Sequence, residues 1–81
     1  MMLKEILDYY SEEEFLIADG FDEAVIGVCD NSMRIIYSVY ICIEILKSQD
    51  MTEEEATDYF QYNVASSYFG EKTPIFCFDL F

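Results

Sequence analysis

Leu3, Ile6, Leu7 and Tyr10 recur at helical spacing, so the chain opens on a short amphipathic helix over 2–10. Ser11 followed three residues later by Glu14 is a capping-box pattern and predicts a further helical stretch over 12–18, broken by Asp19-Gly20. The pattern then changes period. "AVIGVC", the turn-formers "DNS" and "MRIIYSV" predict a β-hairpin with strands near 24–29 and 33–38. Over 39–48 apolar residues fall on most sides, and periodicity alone does not separate helix from strand. Helix is favoured because Ser38 is placed to cap it and "EILKSQD" ends like one.

A second helix has the strongest local signals. Thr52 caps it, Glu55 returns the bond, Met51 is placed to staple onto Ala56, and Glu53, Glu54 and Glu55 complement the positive end of the helix dipole. Ala56, Phe60, Val64 and Ser67 or Tyr68 form its inward stripe. Gly70 stands where a left-handed residue closes a helix, and Pro74 turns the chain into a final strand, "IFCFDLF". The order predicts one α+β domain over 1–81: a small three-stranded antiparallel sheet, hairpin plus C-terminal strand, with helices packed on one face.

Composition sharpens this picture. A chain that is 53% hydrophobic, with seven Phe and seven Tyr, has the makings of a packed core and is not an acidic disordered tail. Seventeen acids against four Lys and Arg leave a net charge of −13. That charge argues against direct nucleic-acid binding or an anionic membrane, because phosphate contacts need Lys and Arg. It is compatible with a basic protein partner, and equally with plain solubility. Cys29, Cys42 and Cys77 are far apart in apolar sequence and match no disulfide or zinc spacing, which reads as buried thiols in a reducing cytoplasm. Acids occupy the first residues where a signal peptide needs an apolar core, and the longest uncharged stretch, 35–43, is far short of a bilayer span. A soluble, cytoplasmic protein is the expectation.

Candidate chemistry is sparse. "YFGEKTPIF" contains Gly70-Glu71-Lys72-Thr73, which looks like the end of a phosphate-binding loop. Such a loop needs a second glycine upstream and a strand-to-helix direction, whereas this segment leaves a helix and enters a strand. It reads as a structural turn built on Gly70, Thr73 and Pro74. There is no histidine, so no imidazole base and no Ser-His or Cys-His pair. "ADGFDEA" places Asp19, Asp22 and Glu23 around a glycine without the alternating register of a calcium loop. No catalytic residue, metal or cofactor is assigned.

The surface is more informative. Three acidic runs, Glu12, Glu13 and Glu14, then Asp19, Asp22 and Glu23, then Glu53, Glu54 and Glu55, could act together as a DNA-like array against a basic nucleic-acid-binding or defence protein. Two of the three sit where first helical turns favour acids in any case. Tyr59, Phe60, Tyr62, Tyr68 and Phe69 spread around more than one helix face, so some point away from the core; Tyr59, Tyr62 and Phe69 are candidate interface anchors, with covering of the sheet edge an equal alternative. Asn63, mid-helix among aromatics, is read as structural, its amide satisfied against the 70–74 loop. A self-complementary homodimer is a further expectation for so small a domain.

Three blocks, "DGFDEAVIGV", "CIEILKSQDMTEEEATDYFQYNV" and "GEKTPIF", resemble in order and spacing a widespread group of small proteins of tailed bacteriophages. Gly20, Asp22, Ala24, Gly27, Cys42, Ile43, Leu46, Met51, Glu54, Glu55, Ala56, Asn63, Gly70, Thr73 and Pro74 fit the pattern; the Ser66-Ser67 pair and "SMRIIYSV" depart from it. The resemblance covers about three-quarters of the chain. It implies a phage origin, life inside a bacterial cell and no particular activity, and it favours a non-enzymatic accessory protein that binds a host protein.

Overall fold

Leu3 and Ile6, the buried members of the first apolar stripe, hold helix α1 (Met2–Tyr9) against the first strand and the turn that precedes it. The computed structural model describes residues 2–66 and 70–79. Beyond α1 the chain does not form the helix expected over 12–18. The Glu13 N–H donates to the Tyr10 carbonyl at 3.0 Å to close a turn, and 14–18 run on without regular structure. The reason is tertiary: the Ala18 N–H donates at 2.8 Å to the hydroxyl of Tyr37, nineteen residues away, which holds this stretch along the core instead of coiling it. Asp19 and Gly20, the latter at φ +90°, turn the chain into a single 3₁₀ turn, Asp22–Ala24.

The hairpin follows as expected. Strands β1 (Val25–Cys29) and β2 (Arg34–Ser38) pair antiparallel, with a bulge between Val25 and Gly27, and the Met33 N–H closes the tip on the Cys29 carbonyl at 2.8 Å. Ser38 then ends the strand and caps helix α2 (Val39–Lys47), its hydroxyl accepting from the Ile41 N–H at 3.1 Å. Helix α3 (Glu53–Phe60) starts on a complete capping box. Thr52 Oγ1 accepts from the Glu55 N–H at 3.1 Å, and the Glu55 carboxylate accepts from the Thr52 N–H at 2.9 Å. One π turn, Gln61–Ala65, extends it. Gly70, at φ +99°, and Pro74 precede strand β3 (Ile75–Cys77).

The sheet order is β1-β2-β3, and the sheet is mixed rather than antiparallel throughout. Ile36, Tyr37 and Ser38 face Ile75, Phe76 and Cys77 in parallel register. The correction has a plain cause. A strand's direction is set by where its connection re-enters the sheet, and the connection from β2 to β3 carries both α2 and α3, a long crossover of the kind parallel neighbours require. Helix α2 packs against α3 and β2. In the core Tyr37 and Phe60 both meet Phe76, at ring-centre distances of 5.5 and 5.3 Å, in one cluster with buried Ile35, Cys42, Leu46 and Ala56.

Candidate functional site

The Tyr37–Ala18 hydrogen bond that denies 14–18 a helix also leaves Leu16 and Ile17 exposed, at 39% and 42% of their surface. Across from them the end of α3 and the π turn present Tyr59, Asn63 and Val64. Leu46 and Phe76 form the floor, and Thr73 and Pro74 one end. These elements enclose a groove of about 520 Å³. Among the described residues that line it, Asp19 alone carries a charge. A smaller hollow of about 340 Å³ adjoins it, lined by Asp22, Glu23, Ile45 and Ser48, and Gly20 is common to both.

The expected acidic runs are all on the surface, with different degrees of engagement. Glu12 and Glu14 are exposed, whereas Glu13 pairs with Lys72 at 3.4 Å. Glu53 pairs with Lys47 at 3.7 Å, Glu55 is taken up by the capping box, and Glu54 is exposed. Asp19, Asp22 and Glu23 meet at the two adjoining hollows. Among the described residues no three of His, Cys, Asp and Glu gather closely enough to hold a metal ion. No helix among them is long and apolar enough to cross a membrane.

Of the expected aromatic anchors, Tyr59 lines the groove, while Tyr62, 79% exposed, is not among the lining residues. Phe69 lies outside the described residues, as do Ser67 and Tyr68 of the expected inward stripe. Asn63 is exposed, and its amide donates to the Tyr59 carbonyl one turn back at 3.2 Å. Leu16 and Ile17 escaped sequence reasoning because 12–18 read as a helix. The adjacent apolar pair just before Asp19-Gly20 was the signal available, and it is equally compatible with one face of a helix.

The Gly70–Thr73 segment is closed upon itself. Both the N–H and the hydroxyl of Thr73 donate to the Gly70 carbonyl, at 3.2 and 2.7 Å. Arg34 Nε donates to the Thr73 carbonyl at 2.5 Å. Lys72 is turned toward Glu13, the Met33 carbonyl and the ring face of Phe15, 5.8 Å from its centre. The Lys72 ammonium and the Thr73 hydroxyl are therefore engaged within the chain, the first at the hairpin tip and Glu13, the second in closing the loop.

No family model, curated protein or solved structure matches this chain.

The cysteines fall into three environments rather than one. Cys42 is buried, and burial pushes its thiol up to about 12. Cys29, half-buried at the hairpin tip, is lowered from its ordinary value first by the Ser32 hydroxyl, then by the Ser32 and Asn31 N–H groups, with Arg34 adding a small favourable charge. Cys77 is exposed. The expectation of three buried thiols is thus corrected: one is. Tyr37 is raised, chiefly by burial and further by the nearby Asp22 charge, which keeps its hydroxyl neutral as the partner of Ala18. The titratable side chains lining the groove are Asp19 and Tyr59, set among apolar walls. This arrangement suits the reception of an apolar group.

Proposed function

We propose that this chain is a phage-encoded accessory protein that works by binding a host protein rather than by catalysis. The observation that carries the reading is the aromatic surface of α3 and its π turn. Tyr62 is 79% exposed and Tyr59 44% exposed, beside an apolar groove with Leu16 and Ile17 on its other lip. Large amphipathic rings left in water on a small domain are the usual anchors of protein contacts, because they bring area and a polar tip at low entropic cost. The phage resemblance supports the setting, a host cytoplasm. Mimicry of DNA by the acidic runs is less well supported, since Glu13, Glu53 and Glu55 are already held by internal partners.

The test is a pull-down from bacterial lysate with the wild-type chain and the Tyr62→Ala variant, followed by titration of the purified partner. A host protein retained at moderate salt, and bound about tenfold more weakly after Tyr62→Ala, is the expected result. A partner that moderate salt releases, that duplex DNA displaces and that ignores Tyr62 would replace this reading with DNA mimicry.

A further inference from the structure

We infer that the groove and the hollow beside it form one two-part site for a partner segment in which an apolar side chain lies near a lysine or arginine. The inference rests on the protein-binding reading and specifies its ligand. The two cavities differ in chemistry and meet at one residue. The groove, floored by Leu46 and Phe76, accepts apolar bulk, and its volume of about 520 Å³ is within the range of roughly 300–1,000 Å³ typical of ligand sites. The hollow presents Asp22 and Glu23, with Asp19 on the groove side of the junction. Gly20 leaves the passage open, because a Cβ placed on it would meet nothing within 4 Å.

Charge decides which occupant fits. Among the described residues Asp19, Asp22 and Glu23 form no ion pair, and three of the four cations are engaged elsewhere. Lys47 bridges Glu44 and Glu53, Lys72 pairs with Glu13, and Arg34 donates to the Thr73 carbonyl. An anionic ligand is repelled at this junction, a neutral apolar one gains only the groove, and a segment with both an apolar and a basic side chain gains both. The net charge of −13 draws basic segments to the whole surface, and the groove is what selects among them.

The experiment is selection from a random peptide library against four folded chains: wild type, Leu16→Ser/Ile17→Ser, Asp22→Asn/Glu23→Gln and, with the same change of charge on α3, Glu53→Gln/Glu54→Gln. All six positions are exposed, and circular dichroism with urea titration verifies each fold. Peptides enriched by the wild type carry a large apolar residue close to Lys or Arg. The lip variant loses the apolar enrichment and the hollow variant the basic one, with at least about fivefold weaker binding of the selected peptides in each case, while the α3 variant matches wild type within about twofold. Equal weakening by the α3 variant would mean that binding follows net charge and would overturn the inference, as would no enrichment or enrichment of basic peptides lacking an apolar residue. A host partner lost with Tyr62→Ala but kept by the lip and hollow variants would also overturn it, while leaving the protein-binding reading in place.

Discussion

The seam where β2 hands over to α2 and the rim of the groove are built from similar residues to opposite ends. At the seam the polar groups are used inside the chain. The buried Ser38 hydroxyl accepts from the Ile41 N–H and donates at 2.5 Å to Asp79, which supplies near the N-terminus of α2 the negative charge its own first turn lacks. Tyr37 uses its hydroxyl on Ala18, and its ring on Phe76. Among the described residues no buried side-chain nitrogen or oxygen is without a partner. At the rim and in the π turn beside it, Tyr59 and Tyr62 put the same kind of ring into water. Aromatic content alone therefore says little; what separates the two regions is whether the polar tip is claimed by the chain itself.

The contrast is sharpest for two cysteines. Cys42, fully buried with its thiol held up near 12, should alkylate only through unfolding, whereas Cys29 at the hairpin tip should react from the native state at neutral pH. Timed labelling with iodoacetamide and peptide mass mapping should show Cys29 modified at least about a thousandfold faster, given open-state populations near 10⁻³ or less. Comparable rates would mean that the core opens readily. The same shift fixes a pH dependence. A thiol raised in the folded state favours folding fully below its ordinary value of 9.0, and that contribution is lost as pH climbs toward about 12. The urea midpoint should accordingly fall between pH 8 and pH 11, and fall less in Cys42→Ala.

Smaller effects follow in the core and at the helix caps. Phe60→Ala removes a ring that is 1% exposed and its edge contact with Phe76, and should cost about 3–5 kcal/mol in urea titration, a large share of what an 81-residue domain has. Ser38→Ala deletes a helix cap and the partner of Asp79 together, for about 2 kcal/mol. Thr52→Ala removes only an exposed cap, with about 1 kcal/mol expected. A Thr52 effect as large as that of Ser38 would show that burial adds nothing to the capping bond.

The pieces legible in the sequence are those whose causes are local. Ser38 as a cap, the Thr52–Glu55 box, the hairpin around 30–33 and the left-handed Gly70 each rest on residues a few positions apart. The pieces that were not legible depend on distant partners. The direction of β3 is set by how α2 and α3 return the chain, and the end of 14–18 is tied by a bond from the Ala18 N–H to the Tyr37 hydroxyl. The groove inherits this difficulty. Its lips come from 16–17 and 59–64 and its floor from Leu46 and Phe76, so no single window contains it. Tyr59 and Asp19 could be picked out as surface residues, but their place beside a common groove could not.

Tyr62→Ala is expected to have the smallest effect on stability, and for that reason it says most about the rim. The ring is 79% exposed, lies in the π turn Gln61–Ala65 and does not line the groove, so its removal should shift the urea midpoint by no more than about 0.5 kcal/mol. A π turn holds one residue more than the α-helical repeat, which changes the direction in which the following side chains emerge and is a frequent companion of functional sites. If the turn is kept for presenting Tyr62, losing the ring should leave stability unchanged and weaken partner binding. A loss of 2 kcal/mol or more, on the order of a buried contact, would instead place Tyr62 in the chain's own packing and erase the distinction between rim and seam on which its proposed role as an anchor depends.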